Sequence, residues 1–231
     1  MQKTSLIFIF LLIFKIISAT QLIFLIHGIN SSPKDFKKME TAFKSYDYKV
    51  INFGYHSKVY TVNQIADNFL KRKIASVSQN DTINFITHSL GAIVLRAYLR
   101  DNKPKNIGKI VMIVPPNQGS EVANFFKDFF LYKIFYHKSG ASLSYNGIKK
   151  LALPNCDNYF CGIIAGTHTQ LPFFSIFIKG EDDGKISVER TKLKGMKDFI
   201  TLPYPHDTIL KKQETIIQCK EFIKNGKFKH N

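Results

Sequence analysis

Short, almost wholly apolar runs recur along the chain, and they constrain its fold more than any other feature. The clearest are QLIFLI, TINFIT, KIVMIV and YFCGIIAG. Runs of this length without polar alternation are typical of parallel strands that are buried on both faces of a sheet. Two further apolar segments, YKVINF and DFITLP, bring the expected number of strands to about six.

Amphipathic segments separate these runs. Residues 31–46 and 62–77 place apolar side chains at helical spacing, residues 89–99 predict an apolar helix, and residues 214–224 predict a closing helix. Strands that alternate with helices indicate right-handed crossovers. We therefore expect an α/β fold with a mostly parallel central sheet and helices on both faces. The chain has 231 residues, and we place this single domain at residues 20–231.

The first residues, MQKTSLIFIFLLIFKIISAT, have the order of a secretory signal. A lysine precedes the uninterrupted apolar run of residues 6–14, and the small residues Ser18 and Ala19 follow it. This run is shorter than the roughly 20 residues of a membrane-spanning helix. The pattern predicts a signal peptide over residues 1–19 and a secreted or periplasmic protein. A retained amino-terminal membrane anchor and a buried strand of a cytosolic protein are the alternatives.

The chain is strongly basic, with a formal net charge of +16 at pH 7. Its lysines are scattered, which is typical of a solvated surface and is also compatible with transient attraction to an anionic membrane. No nucleic-acid-binding motif accompanies the charge, so we expect no nucleic-acid partner. No metal-ligand spacing or nucleotide-binding motif is present either, and we expect no metal or other cofactor.

Three cysteines bear on the compartment. Cys156 and Cys161 lie close enough in NCDNYFC to form a disulfide in an oxidising environment, although two small buried thiols are an equal interpretation. Cys219 is then unpaired, within the last predicted helix.

The stretch THSLG carries the first chemical signal, because it joins an apolar strand to an apolar helix with Ser89 at the corner. A sharp strand-to-helix turn exposes a nucleophilic serine, and the next residue, Leu90, supplies an N–H for a developing oxyanion. Gly91 keeps the turn uncrowded. Thr87 stands where the usual G-x-S-x-G pattern has its first glycine. In FLIHGIN, the N–H of Ile29 is the expected second donor.

A serine nucleophile also needs a base and an acid, which in this kind of fold follow in the order serine, acid, histidine. His206 in LPYPHDTIL comes directly after a predicted strand, where a loop histidine reaches back to the turn. His137, His168 and His230 lack this setting. His88 adjoins Ser89 but points elsewhere at a sharp turn, and we expect it to pack or hydrogen bond beneath the turn.

The acid is expected in GEDDG, a glycine-flanked turn. We prefer Asp183 to Asp182 there, with Asp157 a more distant alternative. A buried carboxylate at this position would fix the histidine tautomer and stabilise the imidazolium.

The segment ANFFKDFFLYKIFYHK (residues 123–138) is aromatic almost all the way round a helix. One interpretation is a helix packed on both sides within the domain. The other is a flap that lines or covers an apolar acyl pocket, because large apolar patches mark lipid or partner contact.

These residues resemble the lipase-like bacterial α/β-hydrolases, which are related more distantly to triacylglycerol lipases and to inositol deacylases of GPI anchors. The likeness is carried by FLIHGI, THSLG, VPPNQGSEVA and the stretch from GIIAGT to LPYPHDTIL. It implies the α/β-hydrolase fold, with Ser89 as nucleophile, Asp183 as acid, His206 as base, and Ile29 and Leu90 as oxyanion donors. Asn117 and Gln118 would shape the pocket without acting in catalysis.

The resemblance implies a serine esterase or lipase that acts through an acyl-enzyme on an apolar acyl or lipid ester. An acyltransferase would use the same three residues. A catalytically silent hydrolase fold that binds a membrane or a partner is the alternative from another class.

Overall fold

The computed structural model describes residues 19–170 and 172–230, so the predicted signal segment lies almost entirely outside the described residues. The strands are β1 (Gln21–Ile26), β2 (Lys49–Phe53), β3 (Thr82–His88), β4 (Ile107–Ile113), β5 (Phe160–Gly166) and β6 (Asp198–Leu202). They form one six-stranded sheet in the order β2-β1-β3-β4-β5-β6, and every neighbouring pair is parallel. The predicted parallel sheet is confirmed.

The helices are α1 (Lys37–Lys44), α2 (Val62–Gln64), α3 (Lys71–Ala75), α4 (Leu90–Asp101), α5 (Glu121–Phe126), α6 (Phe130–Gly140), α7 (Tyr145–Lys150), α8 (Pro172–Ser175), α9 (Val188–Thr191) and α10 (Gln213–Asn225). A π-helical turn (Ile65–Leu70) joins α2 to α3, and 3-10 turns lie at Pro33–Phe36, Ala141–Leu143 and Ile209–Lys211. Within the described parts of the chain, no helix is long and apolar enough to cross a membrane.

The sheet separates two hydrophobic layers, which explains the apolar runs. In β1, Phe24 and Ile26 point into the layer formed with α4 and the π-helical turn, whereas Ile23 and Leu25 point into the layer formed with α1 and α10. All four side chains are fully buried. Because successive side chains of a strand point to opposite faces, only a strand covered on both sides needs such an unbroken apolar run.

The sheet order creates the crevice in which the site lies. The chain leaves β1 towards β2 on one side, then returns to place β3 on the other side of β1. Loops that follow β1 and β3 therefore diverge at the carboxyl ends of adjacent strands, where open α/β sheets bind ligands.

A disulfide joins Cys156, in the loop before β5, to Cys161, the second residue of that strand. Cys219 is a free, buried cysteine of α10. The disulfide lies at the amino end of β5, away from the crevice.

Candidate active site

Ser89 occupies the turn between β3 and α4 in a strained backbone conformation, with φ 51° and ψ −122°. Such a conformation of a residue other than glycine costs on the order of 1–3 kcal/mol and is characteristic of functional sites. The N–H of Ser89 donates to the carbonyl of Ile113 in β4 at 3.0 Å, which holds the turn against the sheet. The serine hydroxyl is thereby presented at the carboxyl end of β3.

Three of the predicted site residues form one hydrogen-bonded chain. The Oγ of Ser89 lies 3.0 Å from Nε2 of His206, and Nδ1 of His206 lies 2.7 Å from Oδ2 of Asp183. An ionised carboxylate only accepts hydrogen bonds, so Nδ1 carries the proton and Nε2 is left to accept from the serine hydroxyl. All three residues are buried.

Three further hydrogen bonds fix Asp183 and His206. The backbone N–H groups of Lys185 and Ile186 donate to Oδ1 of Asp183 at 3.0 and 2.9 Å. The N–H of His206 donates to the carbonyl of Asp183 at 3.0 Å. Both carboxylate oxygens are therefore engaged, which holds the charged group at a buried position.

The alternative acids have other surroundings. The Oδ1 of Asp182 accepts from the N–H of Gly184 at 2.6 Å and from the hydroxyl of Ser175 at 2.8 Å, which makes it a turn-stabilising residue. Asp157 is exposed at the amino end of β5, opposite the crevice. His137, His168 and His230 are all exposed.

The loop after β1 packs directly against the serine turn. A Cβ added to Gly28 would lie 2.9 Å from Nδ1 of His88 and 3.2 Å from Cβ of Ser89. One added to Gly91 would lie 2.2 Å from the carbonyl oxygen of Ile26. These two glycines allow the close approach of the loop that carries Ile29, and Ile29 borders the same cavity as Ser89.

Thr87 lies within β3, not at the tip of the turn, so its branched side chain is accommodated. It is fully buried, and its hydroxyl donates to the carbonyl of Val111 in β4 at 3.4 Å. The absent first glycine of the G-x-S-x-G pattern therefore leaves the turn intact.

His88 is a buried histidine beside the nucleophile. Its Nε2 lies 3.0 Å from the carbonyl oxygen of His206, so the ring donates a hydrogen bond there. Burial, and then the neighbouring His206, lowers the pKa of His88 to about 3, and the ring is neutral at physiological pH. This position beneath the turn is the one that we expected from the sequence.

Sequence reasoning missed the supports of the loop after β1. His27 stacks on Tyr55, with ring centroids 4.1 Å apart, and the Tyr55 hydroxyl donates to the His27 carbonyl. The N–H of Asn30 donates to Oγ of Ser57 at 3.1 Å. Burial lowers the pKa of His27 and raises that of Tyr55, so both are neutral. Tyr55 and Ser57 follow β2 without a recognisable motif, so no sequence signal identified them.

A cavity of about 240 Å³ opens above Ser89 and His206. Its lining is mixed. Polar and charged lining residues include Asn30, Ser31, Asp35, Ser120, Lys185, Asp207 and Lys211, and apolar or aromatic ones include Ile29, Pro116, Val122, Ala123, Tyr132, Tyr136, Leu143, Ile186 and Leu210.

Two ion pairs border the cavity. Lys185 contacts Asp207 at 2.6 Å, and Lys211 contacts Asp35 at 2.8 Å. Although partial burial opposes ionisation, hydrogen bonds from Lys211 and Ser31 lower the pKa of Asp35 to about 2. These residues were not singled out from the sequence, because isolated charges in loops carry no pattern.

The aromatic segment 123–138 contributes apolar and aromatic groups to the lining of the cavity. Tyr132 is buried, whereas Phe125, Phe129 and Phe130 are 47%, 54% and 75% exposed. The segment therefore lines the cavity with one side and meets solvent with the other, so the interpretation of a helix packed on both sides is wrong.

Asn117 and Gln118 hold the loop after β4. The amide of Asn117 donates to the carbonyl of Thr191 at 2.8 Å and accepts from the guanidinium of Arg96 at 3.1 Å. The amide of Gln118 donates to the carbonyls of Glu189 and Lys192. Both side chains join this loop to the α9 segment, so their contribution to the pocket is indirect.

Solved structures share this arrangement of strands and helices. A mature lipase of Bacillus licheniformis, BlEst2, is 18% identical with a TM-score of 0.75, over 90% of this chain and 92% of that chain. The metagenomic carboxyl esterase MGS0156 is 17% identical with a TM-score of 0.66, over 84% of this chain and 66% of that chain. The chain has the α/β-hydrolase fold.

Residues 17–127 of this chain match the family described as "Putative serine esterase (DUF676)". The phospholipase PlaB of Legionella pneumophila is 17% identical with a TM-score of 0.60, over 75% of this chain and 46% of that chain. No curated protein has a sequence that matches this chain significantly.

Proposed function

We propose that the protein is a serine carboxylic-ester hydrolase that acts through an acyl-enzyme on Ser89. The observation that carries the proposal is the hydrogen-bonded chain from Ser89 through His206 to Asp183. In the first step, Oγ of Ser89 attacks the ester carbonyl carbon while Nε2 of His206 takes its proton. The imidazolium, stabilised by Asp183, then protonates the departing alcohol, and water activated by His206 releases the acid.

The N–H groups of Ile29 and Leu90 are our proposed donors to the oxyanion of each tetrahedral intermediate. Leu90 is the first residue of α4, and the first N–H groups of a helix have no partner within it. The close approach of Gly28 to Ser89 supports a donor role for the N–H of Ile29, the next residue of that loop. Preorganised donors of this kind contribute about 3–4 kcal/mol each to transition-state stabilisation.

The mixed polar and apolar lining of the cavity supports an ester with an apolar acyl group. Val122, Ala123 and Leu143 provide an apolar wall for the acyl chain, while Lys185 and Asp35 face the polar part of the substrate. At about 240 Å³ the cavity is smaller than the roughly 300–1,000 Å³ of typical ligand sites. We therefore propose a preference for acyl chains of short or medium length.

The test is a series of p-nitrophenyl esters from acetate to palmitate, assayed with the wild type and with Ser89→Ala. We expect kcat/KM to pass through a maximum before the longest chain and to vanish in the variant. Equal hydrolysis by both proteins would disprove the assignment of Ser89. Product analysis with an added alcohol separates hydrolysis from acyl transfer, since transfer forms a new ester in place of free acid.

We also propose that an exposed aromatic patch beside the cavity contacts anionic membranes. The patch comprises Phe125, Phe129, Phe130, Phe173 and Ile176, of which Phe130 and Ile176 are 75% exposed. The rings of Phe125 and Phe177, 4.2 Å apart, join the α5 segment to the α8 segment. Aromatic groups insert at the membrane interface, and the basic chain favours anionic lipid.

Sedimentation with vesicles of phosphatidylglycerol and phosphatidylcholine tests this contact. The double variant Phe130→Ser and Phe173→Ser should bind less well while hydrolysing a soluble ester at the wild-type rate. Ile217→Ser is the matched control, because Ile217 is an exposed residue (42%) of α10, which lies outside the patch. Equal binding by all the proteins would reject the patch as the contact.

We propose that the protein is secreted or periplasmic. The disulfide between Cys156 and Cys161 supports an oxidising compartment, as does the signal-like order of residues 1–19. Mass spectrometry of the exported protein should find an amino terminus at Thr20. An intact Met1 in a cytosolic fraction would contradict the proposal.

A further inference from the structure

His88 joins two parts of the site that the sheet itself keeps apart. It is the last residue of β3, directly before Ser89, whereas His206 lies in the loop after β6. Strands β4 and β5 separate β3 from β6 in the sheet. The hydrogen bond from Nε2 of His88 to the carbonyl of His206, at 3.0 Å, spans this distance directly.

The backbone of His206 is therefore held from two directions. Its N–H donates to the carbonyl of Asp183, and its C=O accepts from His88. The imidazole of His206 must meet both Asp183 and Ser89 at hydrogen-bond distance, and small displacements at such a site are costly to the rate. A fixed main chain at position 206 restricts where this imidazole can lie.

The surroundings of His88 suit this single task. A carbonyl only accepts hydrogen bonds, so the contact fixes the proton of His88 on Nε2. Its Nδ1 is buried without a hydrogen-bond partner among the described residues, and it lies over Gly28, whose missing side chain leaves room for the ring. A buried nitrogen without a hydrogen-bond partner lowers the stability of the fold, and a purely apolar side chain would fill the same space without this loss. The hydrogen bond that Nε2 makes is therefore the feature that a histidine adds at this position.

We propose that His88 is a positioning residue for His206, a role that rests on the proposed function of Ser89 and His206. It acts as a neutral donor that ties the general base to the strand end bearing the nucleophile. It takes no proton from Ser89, because its donor nitrogen is directed at the carbonyl of His206 and its other nitrogen at Gly28.

Two amide variants form a matched test. In His88→Gln the amide nitrogen stands close to the place of Nε2 and reaches the carbonyl, whereas the shorter side chain of His88→Asn does not. We expect His88→Asn to lower kcat for a soluble ester by about tenfold, the effect of one lost hydrogen bond, with KM within about twofold. His88→Gln should recover most of this loss. His230→Asn, at an exposed position, is the control and should match the wild type.

Equal kcat values for His88→Asn and His88→Gln, per active site titrated with a fluorophosphonate, would overturn the proposal. A wild type that takes no label at Ser89 would instead overturn the proposed function, so the two failures are distinguishable.

The wild type also gives a test that needs no variant. The imidazole nitrogen signals of His88 should show a neutral Nε2–H ring between about pH 5 and 8, because burial and the nearby charges of His206 and Lys185 lower its pKa more than the carboxylate of Asp207 raises it. A proton on Nδ1, or a charged ring, would contradict the proposed contact.

Discussion

Replacing Asp183 with asparagine should nearly abolish turnover while leaving the fold intact. The Asp183 side chain is fully buried and accepts from three N–H groups: the backbone amides of Lys185 and Ile186, and Nδ1 of His206. The amide oxygen of asparagine can still accept from the two backbone amides. Its NH₂ group then faces Nδ1 of His206, which also carries a proton, so two donors face each other without an acceptor.

The histidine relieves this conflict by moving its proton to Nε2. In that tautomer His206 donates towards Ser89 and cannot take the serine proton. Loss of the correct tautomer in a serine triad lowers kcat about ten-thousandfold, or about 5 kcal/mol in activation free energy. We expect a similar loss here, with KM little changed, because Asp183 lies outside the walls of the main cavity.

Asp182→Asn is the matched control for this prediction. Asp182 accepts from Gly184 and Ser175, and an amide oxygen in its place keeps both contacts. Steady-state hydrolysis of a soluble ester, with the thermal midpoint of each variant, is the assay. A severe loss in Asp182→Asn with normal turnover in Asp183→Asn would refute the assignment of the acid, and equal losses in both would refute the tautomer argument.

Three further predictions concern stability. Gly91→Ala should lower the free energy of unfolding by about 1–3 kcal/mol, because its Cβ would meet the backbone of β1; unchanged urea denaturation would contradict this. Cys156→Ser with Cys161→Ser should cost about 2 kcal/mol in urea denaturation but leave kcat unchanged, since this short loop lies away from the site; a loss of kcat at full stability would argue against that separation. His88 has a folded pKa of about 3 against about 6.5 unfolded, so the unfolded chain alone binds its proton between these values and stability falls as the pH decreases. The free energy of unfolding of the wild type, relative to that of His88→Gln, should therefore fall by about 1.4 kcal/mol per pH unit below about pH 6.5. The same pH dependence for both proteins in urea denaturation would disprove this.

The sheet was predictable because both of its faces are covered. A strand such as β1 must then be apolar throughout, and this requirement is visible in QLIFLI without knowledge of any contact. The positions of Ser89 and His206 followed from the same logic, since the ends of parallel strands meet at one edge of the sheet. Asp183 was separable from Asp182 only as a preference, because both stand in the same turn and only the fold decides which carboxylate faces His206.

The hydrogen-bond partners that support the site could not be predicted from the sequence. Tyr55 and Ser57 act through contacts with a loop almost 30 residues earlier in the chain, as the separations of 28 and 27 residues show. The hydrogen bond from His88 to His206 joins positions that are 118 residues apart. Such contacts depend on how loops fold over the sheet edge, and no local periodicity encodes them.

Labelling with a fluorophosphonate, followed by peptide mapping, tests the central claim most directly. A serine becomes reactive towards this probe only when a base activates it beside an oxyanion site. We predict one adduct per chain, on the peptide that contains Ser89, and its loss in Ser89→Ala. An unlabelled wild type, or an adduct that persists in Ser89→Ala, would contradict the assignment of Ser89 as the nucleophile.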